Sequence, residues 1–428
     1  MHKLKFLYIL LTITSFFIIS IGFFNYDSIF YSLLIVGVYT AIFFKYLLSQ
    51  NTEIQIIYVF FFGFVIRFFL MHIDVNIEEI DMGDCRDFRE SGEYFFYTNK
   101  ISFRGYDTFN GTTLLMGIIN KIFGPHRVII QYFNALSFMT AAYLTYKILC
   151  GFSLPSKLKL ILMLWMIFSP QNIKNTSISN REGFISLCVA FSVYSFYLFT
   201  MHKTIKPLIL SFGSVFIGCL LHSGVIALLA GYIFYLSIYD NQKKEYNFNA
   251  TSVFYFAITL VPLLIVLIVF GDSLLGKFGR IESTNDITYR VLTSGGGGAD
   301  YEVPFGDNIL ATPLRAIYFL LSPLPWYWRG VSDILAFIVC SIPHILIVMT
   351  YRKNIKYITK NARIFCKLLI VSAIAISFVF GWGCKNAGTA IRHRDKFISL
   401  YTVILGLTLS HKYEKQNSTY TTVFRKIS

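Results

Sequence analysis

Residues 54–73 read IQIIYVFFFGFVIRFFLMHI, a stretch in which Arg67 is the one charged side chain. A helix needs about 20 predominantly apolar residues to cross the hydrocarbon of a bilayer. Comparable runs recur at 4–24, 31–48 and 252–271. The 428-residue chain is 55% hydrophobic and 14% charged, with a mean hydropathy of +0.59. A soluble chain of this length could form about three domains, but no long soluble stretch remains to build one. The expected fold is therefore an all-α polytopic membrane protein, a single integral membrane domain over residues 1–428 with about 12 transmembrane helices. The spans are drawn at 5–24, 30–48, 54–73, 128–150, 158–171, 183–201, 206–220, 222–239, 251–270, 331–350, 364–382 and 396–411.

The basic start of the chain leads into an apolar run that ends Phe23-Phe24-Asn25. A cleavable signal peptide has an apolar core of about 7–15 residues and closes on small residues. This run is longer and closes on bulky ones, so it reads as an uncleaved first span.

A net charge of +15 invites a nucleic-acid reading, and its distribution argues against one. With the N-terminus inside, cytoplasmic segments hold 20 Lys+Arg against 4 Asp+Glu, a net +16, and the remaining segments hold 18 against 19, a net −1. That asymmetry is the positive-inside rule. It puts both termini in the cytoplasm and implies no nucleic-acid partner. Of the inside cations only Arg352, Arg363 and Arg425 are arginine, whereas twelve arginines fall elsewhere. Arginine presents a planar fork that binds carboxylate or phosphate bidentately. Pairing with the outside acids is the plain explanation for any one of them; contact with an anionic ligand is the explanation for some.

Two outside loops are long. The first, 72–127, opens on Glu78-Glu79-Ile80-Asp81-Met82-Gly83-Asp84-Cys85-Arg86-Asp87, passes Tyr94, and reaches an amphipathic helix expected over Thr112–Phe123. The second, 271–330, carries Gly295-Gly296-Gly297-Gly298, a flexible link, and then Pro323-Leu324-Pro325-Trp326-Tyr327-Trp328-Arg329. Ala316–Leu324 is too short to cross, so a re-entrant or interfacial helix is expected there. No Gly-Lys-Ser/Thr follows the glycines, which excludes a P-loop. Of the seven cysteines, those in or beside spans read as apolar packers. Cys85 and Cys384 face outside and read as unpaired more readily than as a bridge between the first and last outside loops. No metal site and no cofactor are expected.

Several features lie at span ends. Ser169-Pro170 closes a short fifth span, and Asn180-Arg181-Glu182-Gly183 opens the sixth, where free N–H groups at a helix N-terminus would favour an anion. Leu221-His222-Ser223-Gly224 opens another; a lone histidine at such a place is most often an interfacial hydrogen-bonder. Arg392-His393-Arg394 precedes the last span. Arg67 alone is read as an ionisable group well inside a span.

In that order these features resemble the GT-C superfamily of membrane glycosyltransferases, and within it the bacterial O-antigen and exopolysaccharide repeat-unit polymerases. The similarity lies in the acids after a span followed by Tyr94 and a helix ending Ile122-Phe123-Gly124, with Asn134 in the next span. It continues in Asn180-Arg181-Glu182-Gly183, in Leu220-Leu221-His222-Ser223 and in Arg392-His393-Arg394. His393 departs from it, standing where the family often has an aromatic, and the acids Glu79 and Asp81 are not adjacent. The resemblance implies a GT-C-like fold with two long periplasmic loops in the bacterial inner membrane. It implies a donor glycan on undecaprenyl pyrophosphate, a lipid-linked acceptor repeat unit for O-antigen, capsule or exopolysaccharide, and a chain-length regulator and a flippase as partners. Asp81, Asp84, Asp87 and His222 are then the candidate catalytic groups. Arg181, Arg290, Arg315, Arg392 and Arg394 are the candidate pyrophosphate ligands. Two other readings stand beside it: a GT-C transferase moving one sugar from a polyprenyl phosphate, and a flippase for lipid-linked oligosaccharide.

The charge asymmetry predicts that reporter fusions at Lys243 and Gly297 lie on opposite sides of the membrane. Alkaline phosphatase active at Gly297 and inactive at Lys243 is the expected pair of results; the same activity at both overturns the topology.

Overall fold

The computed structural model describes residues 8, 29–77, 80, 83–101, 110–240, 245–246, 254, 309–384 and 386–410. The expected spans at 5–24 and 251–270, with Asp81, Arg290 and the glycine run at 295–298, lie outside the described residues. The chain divides into two compact units, Met1–Tyr143 with Leu160–Leu187, and Leu144–Lys159 with Cys188–Ser428. Among the described residues the secondary structure is mainly helical, with a two-residue antiparallel ladder that pairs Tyr239 with Tyr246 and Asp240 with Glu245.

The helices run α1 Ile29–Ser49, α2 Ile54–Asn76, α3 Asp84–Thr98, α4 Asn110–Phe123, α5 Arg127–Gly151, α6 Ser156–Phe168, α7 Pro170–Ser177 and α8 Glu182–His202. Then come α9 Ile205–Leu221, a 3-10 segment Ser223–Leu228, α10 Leu229–Ile238 and α11 Thr312–Leu321. The last four are α12 Val331–Asn354, α13 Lys360–Gly383, α14 Ala387–Asp395 and α15 Ile398–Ser410. Five of the described helices, α2, α5, α8, α12 and most of α13, are long and apolar enough to cross a membrane. Only 28% of the most apolar window of α12 is buried, and Val348 and Met349 on it are exposed. That leaves an apolar face of the kind lipid covers.

The first unit contains a helical hairpin where the sequence suggested only its second arm. α3 packs on α4 because small residues let the axes approach. A Cβ at Gly92 would stand 2.5 Å from Met116 Cβ, and one at Gly117 would meet the Phe95 ring. Gly124, at φ +85°, closes α4 in the left-handed conformation that glycine favours. Asp74, at the end of α2, is buried; its Oδ2 accepts from Arg127 Nη2 at 2.5 Å and Gln131 Nε2 at 2.6 Å, and its Oδ1 from the Ile80 N–H at 2.6 Å. Arg127 and Gln131 are one turn apart on α5, so this carboxylate ties α2 to α5. Breaking such a buried pair from one side costs about 3–5 kcal/mol.

Helix breaks follow proline. Ser169, which precedes Pro170, has ψ 122° rather than a helical value, as the proline ring requires, so α6 ends at Phe168, inside the expected fifth span, and α7 starts at the proline and runs beyond that span. Arg67 is 0% exposed and spends its guanidinium on this break. Nη2 donates to Ile167 O at 3.1 Å, Nε to Thr176 Oγ1 at 2.8 Å and Nη1 to Gly63 O at 2.9 Å. The guanidinium also lies over the Phe138 ring at 4.8 Å. In α12, Pro343 lacks the N–H that an α-register would use, and the turn before it widens to a π segment at Phe337–Ser341. Arg67 is not alone as an ionisable side chain within a span: His344 is buried in α12, with its Nδ1 bonded to Cys340 O at 2.8 Å.

Asn134 of α5 makes three bonds to the chain that leads into α8. Its Nδ2 donates to Asn175 O at 2.9 Å and Ile178 O at 3.0 Å, and its Oδ1 accepts from the Gly183 N–H at 2.8 Å. A Cβ on Gly183 would come within 2.0 Å of Asn134 O. Gly183→Ala should therefore destabilise by about 1–3 kcal/mol, the usual cost of overpacking. Gly213→Ala, where the added methyl meets open space, should stabilise α9 by up to about 1 kcal/mol. Thermal unfolding of the purified protein in detergent reads both; equal melting points for the two variants would remove the steric argument.

Candidate functional site

Each unit gathers some of the candidate residues. In the first, Arg181 is half-buried just before α8. Its Nη1 donates to Thr112 Oγ1 on α4 at 3.2 Å, and its guanidinium lies 4.6 Å from the Phe88 ring centre on α3. Phe88 is one turn from Asp84 and adjacent to Asp87, so the two described acids and Arg181 share the start of the hairpin. Both acids are also in the first turn of α3, where a negative charge complements the helix dipole whatever else it does. Two N–H groups at the N-terminus of α8, where an anion site is expected, have partners within the protein. The Gly183 N–H is held by Asn134, the Arg181 N–H by Asn180 Oδ1 at 2.9 Å, and buried Glu182 already fills the first turn. A carboxyl that the sequence reading passed over is Glu93 on α3. Burial pushes it above the usual carboxylate range, Arg89 opposes the shift and Glu90 adds to it.

In the second unit, two of the sequence motifs meet. The rings of His222 and His393 lie edge to face with centroids 5.1 Å apart. Phe380 of α13 touches both, stacked on His222 at 5.2 Å and tilted against His393 at 4.7 Å. His222 is held at the end of α9, where its Nδ1 accepts from the Gly224 N–H at 3.3 Å and so caps the 3-10 segment. Gly224 must be small, since a Cβ there would lie 2.4 Å from the Phe380 ring. His393 sits in the last turn of α14, a helix that the sequence reading left as loop. Asn386 starts it by accepting from the Thr389 N–H at 2.7 Å, and Arg392, His393 and Arg394 end it, where positive charge suits the dipole. Lys396 is buried, and its Nζ donates to His393 Nδ1 at 2.8 Å.

Arg394 is 2% exposed. Its guanidinium donates to Ser322 O at 2.5 Å, to Leu320 O, and at 3.4 Å to Ser341 Oγ. These bonds staple the guanidinium to the end of α11. Arg315 on α11 is buried, and its backbone is what a Cβ on Gly381 would strike at 2.9 Å. Phe319, one turn along from Arg315, stacks on Phe380 at 5.9 Å. Arg392 is half-buried on α14. Cys85 and Cys384 are both buried.

No protein-family model, curated protein or solved structure matches the chain.

The Arg394 staple depends on a fork that reaches two carbonyls at once, which an ammonium does not reproduce. Arg394→Lys should therefore lower the melting temperature, since each buried carbonyl left without a donor costs about 1–3 kcal/mol. An unchanged melting temperature would show that the staple contributes nothing.

Proposed function

We propose that the protein is an O-antigen-type polymerase: a GT-C-like glycosyltransferase of about twelve spans in the bacterial inner membrane, with both termini cytoplasmic. The reading rests first on the resemblance in sequence. The observation that carries it further is the meeting of His222 with His393 across Phe380. Two motifs that are weak separately and distant in sequence fall at one place, beside the cations of α14. Chance similarity gives no reason for that.

In this reaction an acceptor hydroxyl oxygen attacks the anomeric carbon of the donor glycan. The bond from that carbon to the pyrophosphate oxygen breaks, and undecaprenyl pyrophosphate leaves. A base takes the hydroxyl proton, typically a contribution of 10²–10⁴-fold; Asp81, Asp84 and Asp87 fit by residue type, and Glu93 joins them by its raised affinity for a proton. Cations balance the charge that develops on the leaving group; Arg181, Arg290, Arg315 and Arg392 suit that work. The glycan arrives activated on its lipid, so no nucleotide or other cofactor is required. The flippase alternative would draw on ionisable groups lining a central path. The buried Arg67 suits it poorly, because its donors serve Gly63, Ile167 and Thr176.

Deletion of the gene, followed by a gel of surface polysaccharide, separates these readings. Loss of the polymerase should leave lipid A capped with a single repeat and no ladder. A strain with neither the single repeat nor the ladder would point to the flippase instead.

A further inference from the structure

We infer that residues 309–330 form a re-entrant hairpin in the outer half of the bilayer, with its tip at Ser322-Pro323 near the midplane and with Ile317 and Trp326 facing the acyl chains of the outer leaflet. The inference goes beyond the polymerase reading and does not depend on it. It selects the re-entrant form of this segment over the interfacial one.

The depth of the tip follows from α12, which runs Val331–Asn354. Arg352 and Lys353 in its last turn mark the cytoplasmic end, so Val331 is at the outer end. Ser322 O accepts from Ser341 Oγ at 2.6 Å and from Arg394 Nη2 at 2.5 Å. Ser341 lies ten residues in from Val331, about 15 Å along a helix. Half of a hydrocarbon core is also about 15 Å. The ten residues of α11 cover a similar length, enough to reach the midplane and too little to cross. α11 lies beside the outer end of α13, where Gly381 admits the Arg315 backbone and Phe319 stacks on Phe380. The chain then returns along the first turns of α12. Trp328 meets Phe337 with ring centroids 5.5 Å apart, and the Arg329 N–H donates to Asp333 Oδ2 at 2.9 Å.

Irregular backbone at such a depth persists only where its polar groups are bonded within the protein. The carbonyls of 322–325 all have donors. Besides the two bonds to Ser322 O, Pro323 O accepts from Trp328 Nε1 at 3.0 Å, Leu324 O from the Tyr327 N–H at 2.9 Å, and Pro325 O from the Trp328 N–H at 3.4 Å. Pro323 and Pro325 have no N–H to satisfy. Arg394 also bonds Leu320 O. A segment lying in headgroup water would not need so complete a set. Residues 316–328 carry no charge, and the charges that flank them, Arg315, Arg329 and Asp333, belong to the outer ends of α11 and α12.

A small core of Tyr318 and Leu324, with Leu314, Leu321 and Tyr327 packed on it, holds the two arms together. Ile317 and Trp326 stay outside that core and are exposed, as are Leu335 and Ile338 on the first turns of α12. Trp326 lies between the tip, at the level of Ser341, and Trp328, at the level of Phe337. Its depth is therefore that of the exposed apolar face of α12, and lipid hydrocarbon is the occupant that suits both.

The test is fluorescence quenching of the full chain in nanodiscs, with lipids brominated either next to the headgroup or near the chain end. Trp165→Phe and Trp382→Phe clear the background. Adding Trp326→Phe then gives the Trp326 signal by difference, while Trp328 keeps its bond to Pro323. In that last variant, Val331→Trp and Ile338→Trp, both at exposed positions, mark the shallow and deep ends of the scale. Trp326 should lose more fluorescence with chain-end bromines, as Ile338→Trp does, and should resist acrylamide in the water. Strongest quenching beside the headgroup, in the pattern of Val331→Trp, or quenching by acrylamide, overturns the re-entrant hairpin in favour of an interfacial helix. Quenching by neither lipid overturns the lipid-facing surface, because protein then covers Trp326. The comparison of the two lipids on Trp326 stands without either marker, should a marker variant not fold.

Discussion

A helix that breaks in apolar surroundings leaves carbonyl and N–H groups with no water to turn to, and each must find a partner within the protein. That constraint organises the described structure. Arg67 serves the break between α6 and α7, Asn134 the approach to α8, and Arg394 the end of α11. Ser372 of α13 serves the junction of the 3-10 segment with α10, donating to Leu228 O at 2.7 Å and accepting from the Gly231 N–H at 3.2 Å. His222 caps the other end of the same 3-10 segment. The side chains at the breaks are therefore constrained by the backbone before any ligand is considered.

This constraint changes the meaning of the arginine excess. A guanidinium can satisfy two or three carbonyls from one side chain, and Arg67 and Arg394 do so. A buried arginine of this kind is tolerated because its terminal N–H groups are occupied and an aromatic face or hydroxyl completes the shell. Arg181 differs from them. It is half-buried, lies over Phe88 and donates to Thr112, a geometry that ties the α3–α4 hairpin to the start of α8. Arg67 and Arg394 thus act as backbone staples while Arg181 stays partly accessible in its unit, a difference that charge counting does not reveal.

In the second unit the same logic extends from structure to chemistry. The bond that makes His222 a cap also holds its ring against Phe380, and Lys396 bonds the ring of His393. Phe380 holds the two rings at a fixed spacing, and the smallness of Gly224 allows the contact.

Much of the fold was legible in the sequence because helix formation inside an apolar environment is a local matter. The run at 54–73, the break before Pro170, the amphipathic stretch ending at Phe123 and a short helix overlapping Ala316–Leu324 all follow from composition and spacing within a few turns, although that last helix begins at Thr312. α3 was less legible because its mean hydropathy is low and its burial depends on glycines that make sense only opposite α4. α14 was missed for a related reason: a polar segment with three basic residues reads as a loop until Asn386 is seen to cap it. The site residues themselves were visible as types, since arginine and histidine at span ends stand out. Their roles were not, because hydrogen-bond direction and pairing across the chain are set by packing between distant segments. The sequence determined that this chain forms apolar helices broken at particular prolines; only the tertiary structure decided that Arg394 faces carbonyls and that His222 meets His393, because those partners are chosen by the close packing of α11, α13 and α14 and not by anything within reach along the chain.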